Sequence, residues 1–112
     1  MRTTPSPTAG PFLDRETLVI AAADLADEIG WNELTLSQVA TTVDRHVSSL
    51  YTHVDGLDAL RREVAVLAVT ELADVVWEAS VGTGGADALA AIAEAERDFG
   101  RAHPGRMAAL RS

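Results

Sequence analysis

The apolar residues of this 112-residue chain recur at helical spacing from Asp14 onward, and the phase of that recurrence breaks between Val43 and Val47. Period-two alternation is absent, so strands are excluded and the fold class is all-α. The break itself constrains the chain most. In "TLSQVATTV", Leu36, Val39, Ala40 and Val43 form one inward stripe. "DRH" interrupts it, and Val47, Leu50, Tyr51 and Val54 resume at a new phase. Two short amphipathic helices joined by a tight turn are therefore expected. Thr35 is the N-cap of the first, in a capping box with Gln38.

The flanking segments predict longer helices. "DRETLVIAAADLADEIG" places Leu18, Ala22, Leu25, Ala26 and Ile29 on one face, with Asp14 as N-cap and Gly30 after the last turn. Trp31 and Leu34 pack in the connection that follows. "VDGLD" ends the third helix, and a fourth begins at Leu57. Leu60, Val64, Leu67, Ala68, Leu72 and Val75 carry it for some twenty residues, up to "SVGTGG". A fifth helix turns Leu89, Ile92, Ala93 and Phe99 to one face and stops at Pro104 and Gly105, leaving a stub, "RMAALRS". A three-helix bundle, a long connecting helix and one or two further helices make up the expected architecture. Residues 1–13, rich in Pro, Ser and Thr, are expected to form a disordered arm. Residues 14–56 would form the helix-turn-helix domain, and residues 57–112 the connecting helix and the start of a second domain.

Composition narrows the functions. There is no cysteine, which removes disulfides, thiolate metal sites and cysteine nucleophiles. No His has partners at metal-ligand spacing, and there is no phosphate loop, nucleophile elbow or triad, so neither a metal, a cofactor nor an enzyme is expected. No run is apolar enough to span a membrane and no secretory leader is visible, so a cytoplasmic protein is expected. Net charge is −8, but unevenly spread. Residues 1–34 carry two Arg against six acids and residues 63–112 four against eight, while residues 35–62 balance three against three. The short helices occupy the neutral window, where a polyanion is least repelled.

A short helix, a tight turn and a second short helix are the elements of a helix-turn-helix, whose second helix enters the major groove. Gly30, Leu34 with Thr35, Ala40, Leu50 with Tyr51, Thr52, His53, Val54 and Leu60 occur in an order and spacing that resemble the DNA-binding domain of the TetR (tetracycline repressor) family, over about residues 15–67. The small Ala40 suits a close helix crossing, Leu50 anchors the recognition helix, and Tyr51 packs its ring while offering a hydroxyl to phosphate. By this resemblance the candidate DNA contacts are Thr35, Arg45, His46, Val47, Ser48, Ser49, Tyr51, Thr52 and His53.

The resemblance implies a repressor of transcription, a double-stranded operator as partner, a homodimer and a small-molecule effector in a second domain. Three departures stand beside it. Asp44 and Arg45 replace the family's Gly and apolar residue in the turn. Asp55 and Asp58 flank Leu57 where a lysine often grips the backbone. The chain also resembles a regulator truncated after its fifth helix, so the effector pocket would be incomplete. An alternative reading is an interaction module that pairs with a partner chain through Leu72, Val75, Val76, Trp77, Leu89, Ile92 and Phe99, without binding DNA.

Overall fold

The computed structural model describes residues 13–112, all of whose regular elements are helical. The arm expected over residues 1–13 lies outside these residues except for Leu13, which packs into the core. Six α-helices follow in order: α1 (Arg15–Ile29), α2 (Leu36–Thr42), α3 (Val47–Leu50), α4 (Leu57–Ser80), α5 (Gly85–Ala102) and α6 (Pro104–Arg111). A single 3₁₀ turn, Trp31–Glu33, joins α1 to the α2 connection.

Local chemistry sets most of these boundaries. The Asp14 carboxylate accepts a hydrogen bond from the Thr17 backbone N–H at 2.7 Å and starts α1. That bond, helped by the Thr17 side chain and the charge of His53, holds the Asp14 carboxyl below the usual carboxylate range. At the other end Gly30 takes φ 104°, a conformation that strains any residue with a Cβ, and its N–H reaches the Ala26 carbonyl.

The core lies where α1, α2, α3 and the first half of α4 converge. Leu18, Val39, Val43, Leu50, Leu60 and Val64 are fully buried there. Trp31 and Leu34 pack as expected, and the Arg61 guanidinium lies 4.1 Å above the Trp31 ring. Beyond Ala68, α4 leaves this core and runs beside α5, so Trp77, Val81 and Leu89 stay exposed. The inward position expected for Leu89 is therefore not found: it is 70% exposed, whereas Phe99, on the same helix, is buried. α5 packs chiefly against α4 and α6.

The stub expected after Pro104 is instead the helix α6, with Pro104 in its first turn, where a missing N–H costs nothing. α6 folds back onto α1 and α4. Gly105 touches the backbone of Ala26 and Asp27 so closely that a Cβ there would fall 2.5 Å from the Asp27 nitrogen. This approach seats Arg106, only 3% exposed, among three carboxylates. Its Nε donates to Glu71 at 2.6 Å, Nη2 to Asp24 at 3.1 Å and Nη1 to Asp27, while its backbone N–H donates to Asp27 at 2.9 Å. The His103 ring also meets Asp27, at 2.7 Å. Burial by itself would lower the Arg106 pKa, but the carboxylates of Asp24, Glu71 and Asp27 outweigh it and raise the pKa.

Candidate nucleic-acid interface

The interface is assembled from α2, the turn after it, and α3. Thr35 and Gln38 form the expected capping box: the Gln38 N–H donates to the Thr35 hydroxyl at 3.2 Å and the Thr35 N–H to Gln38 Oε1 at 3.1 Å. At its C-terminus α2 closes in a Schellman turn, with the Asp44 N–H on the Thr41 carbonyl at 3.2 Å and the Arg45 N–H on the Ala40 carbonyl at 2.9 Å. The motif needs a left-handed residue, and Asp44 supplies it at φ 58° in the place where the resemblance expects Gly. Ala40 is buried at the crossing, and Leu50 pins α3 to the core with no exposed surface. α3 is regular for only four residues. The chain then tightens, with the N–H groups of Thr52 and His53 bonding three residues back, to Ser49 and Leu50.

The candidate contacts are not all equally placed. His46, Ser48, Tyr51 and Thr52 are exposed, and Arg45, Ser49 and His53 are half-buried. Val47 packs partly against the core. Thr35 is exposed at the start of α2, but its hydroxyl also donates to Gln38 Oε1 at 2.9 Å, so its proton is committed to the cap. Arg45, His46 and Ser49 meet with Thr41 and Asp44 around a shallow depression of about 350 Å³. There the Arg45 guanidinium donates to the carbonyl of Asp44 at 3.1 Å, drawn back over its own turn. The Thr52 hydroxyl likewise donates to the Ser49 carbonyl at 2.7 Å.

Tyr51 differs from the packed ring that its place beside Leu50 suggests, since it is 54% exposed. It caps α3 with backbone angles that are still helical, φ −68° and ψ −12°. Thr41 was not among the candidate contacts. Its place, four residues after Ser37 on the exposed face of α2, is the signal that could have found it.

The face is polar and almost uncharged. Between residues 35 and 54 there is one acid, Asp44, and one Arg, Arg45. Two cations nearby have other engagements: Arg15 pairs with Glu63 at 2.6 Å and Arg61 covers Trp31. Asp55 and Asp58 are exposed at the edge leading into α4. Among the described residues, no group of three or more His, Cys, Asp or Glu is arranged to hold a metal ion, and no helix is long and apolar enough to cross a membrane.

No family model matches the chain. It is 35% identical over 98 residues to an uncharacterized HTH-type transcriptional regulator of Mycobacterium tuberculosis, a match that covers 88% of this chain and 45% of that protein. It is also 35% identical over 100 residues to YobS, an uncharacterized HTH-type transcriptional regulator of Bacillus subtilis, covering 89% of this chain and 51% of the relative. The chain thus spans about half the length of the curated relatives it matches. A crystal structure of a TetR from Acinetobacter baumannii superposes with a TM-score of 0.58 at 25% identity, over 85% of this chain and 54% of the other. Over the residues these similarities cover, sequence and fold fit a TetR-family regulator.

Proposed function

We propose that this chain is a sequence-specific, DNA-binding transcriptional regulator of the TetR kind, a repressor that lays α3 in the major groove of its operator. The observation that carries the reading is the exposed, nearly uncharged polar face of α3 and its flanking turns, fixed by the Schellman turn on one side and the buried Leu50 on the other. The relatives' names and the structural match support it.

In this reading Ser48, Ser49 and Thr52 face base edges, with Val47 offering its partly exposed methyls. Tyr51, His46, His53 and Arg45 serve the phosphates on either side. The first turn of α2, below the Thr35 cap, points its open N–H groups at a backbone phosphate. Two copies acting as a homodimer would place two recognition helices about one helical turn of DNA apart. A small-molecule effector would act through the part beyond α4, where an open cleft of about 700 Å³ lies among α4, α5 and α6. A chromosomal operator puts the protein in the cytoplasm.

The test is anisotropy titration of the full chain against a labelled pool of random duplexes, at low and moderate salt, followed by sequencing of the retained fraction. Enrichment of a subset of duplexes, with binding that weakens as salt rises, is the expected result. Self-association with no affinity for any duplex would refute the reading in favour of a partner-binding module.

A further inference from the structure

We propose that the operator presents A·T pairs to α3, which are recognised through thymine methyl groups and single hydrogen bonds, and that no guanine in it is gripped by a forked side chain. This rests on the DNA-binding reading above and goes beyond it by naming the class of duplex.

The side chains that identify a base by two parallel hydrogen bonds are Arg or Lys for guanine and Asn or Gln for adenine, while Asp and Glu accept from cytosine. From His46 to Val54 the sequence is HVSSLYTHV, which contains none of the six. The nearest glutamine and arginine are already engaged, and the flanking Asp44 and Asp55 carry carboxylates, which only accept and so cannot grip a guanine. Gln38 spends its side-chain oxygen on the Thr35 N–H and hydroxyl, at 3.1 and 2.9 Å. Arg45 is turned onto the Asp44 carbonyl.

What remains is hydroxyls, two imidazoles and methyl groups. Thr52 decides their character. Its hydroxyl proton is committed to the Ser49 carbonyl at 2.7 Å, so to a base it offers a methyl group and an oxygen lone pair. A methyl group is matched in the major groove by one partner, the C5-methyl of thymine. Ser48, exposed one turn earlier on α3, has no methyl and supplies a single donor or acceptor beside it. Specificity built this way is spread over several modest contacts.

Base analogues placed singly in the selected duplex test this with the full chain. Deoxyuridine in place of thymidine removes only the methyl group, and 7-deazaguanine removes only the N7 acceptor. At least one thymine under each α3 should lose about fourfold in affinity, the effect of one buried methyl group. Every guanine should tolerate the deaza change within about twofold. Thr52→Ser keeps the hydroxyl and removes the methyl, so it should bind the thymine and deoxyuridine duplexes equally. A variant whose defect was only structural would weaken both duplexes and keep the difference between them. A tenfold or greater loss at any 7-deazaguanine, or indifference to every deoxyuridine, overturns the proposal while leaving DNA binding standing. A chain that retains no duplex at all overturns both.

Discussion

Replacing Gly105 by Ala adds one methyl group where the structure has no room for it. The new Cβ would lie 2.5 Å from the Asp27 nitrogen, and closer still to the carbonyl carbon and oxygen of Ala26. These are backbone atoms inside α1, which cannot rotate away as a side chain can. Reaching ordinary contact near 3.4 Å requires α6 to retreat by roughly 1 Å. The same retreat stretches the Arg106 N–H bond to Asp27 from 2.9 Å past hydrogen-bonding range. It also pulls the guanidinium away from Glu71.

Overpacking of this kind costs about 1–3 kcal/mol, and loosening a buried ion pair adds to it. We expect a loss of about 2–4 kcal/mol, which at about 4–8 °C per kcal/mol for a domain of this size lowers Tm by about 8–32 °C. Circular dichroism melts and urea titrations of the full chain measure it. Gly100→Ala is the matched control: its Cβ would meet only the flexible end of Met107, at 3.2 Å, and a helix-interior glycine gains propensity on becoming alanine. If Gly105→Ala melts within about 0.5 kcal/mol of the parent, or no lower than Gly100→Ala, the close approach of α6 to α1 is not part of the folded state.

Other outcomes follow from the same packing. Arg106→Met leaves Asp27, 12% exposed, without its main partner, and should cost about 2–4 kcal/mol in urea unfolding. Asp44→Gly relieves a left-handed non-glycine residue and should raise stability by up to about 1 kcal/mol, whereas Asp44→Val should lower it. For Asp14, whose carboxyl pKa is lowered in the folded state, the stabilisation is present above the model-peptide value of 3.8 and lost as pH falls through the lowered one. Asp14→Asn should therefore melt below the parent at pH 7, with the gap closing as pH drops beneath 3.8 in parallel melts. With Arg45 the one arginine or lysine between positions 35 and 54, and Arg62 exposed on α4, two domains engage few phosphates through permanent cations. The slope of log affinity on log salt should be about −4 or shallower, and a slope beyond about −6 would show cations that this account omits.

Signals carried by neighbouring residues were legible in the sequence. The Asp14 cap and the Thr35 and Gln38 capping box depend on groups within four residues of one another, and each is found where its residue type places it. Helical periodicity likewise marked Leu18, Val39, Leu50 and Leu60 for burial.

Features that depend on distant chain were hidden. Arg106 reads as a solvated arginine until α1 and α4 supply Asp24, Asp27 and Glu71, residues 35 to 82 positions away. Pro104 and Gly105 read as a stop, because proline ends one helix by the same property that lets it begin another. Leu89 fits an apolar stripe, yet nothing among the described residues covers it. Of the candidate interface, the exposure of Ser48 and Thr52 follows from the phase of α3. Tyr51 fits the apolar stripe with Val47 and Val54, yet its ring is exposed, which the stripe alone does not show.

The central claim is that the α3 face reads DNA. Its most direct test is the affinity of a Ser48→Ala, Thr52→Ala double variant for the duplex selected by the parent chain, with melting curves recorded on the same samples. Both side chains are exposed, so the melt should stay within a few degrees of the parent while binding weakens tenfold or more, about 1.4 kcal/mol across the two sites. Undiminished binding by a fully folded double variant would contradict the assignment of this face.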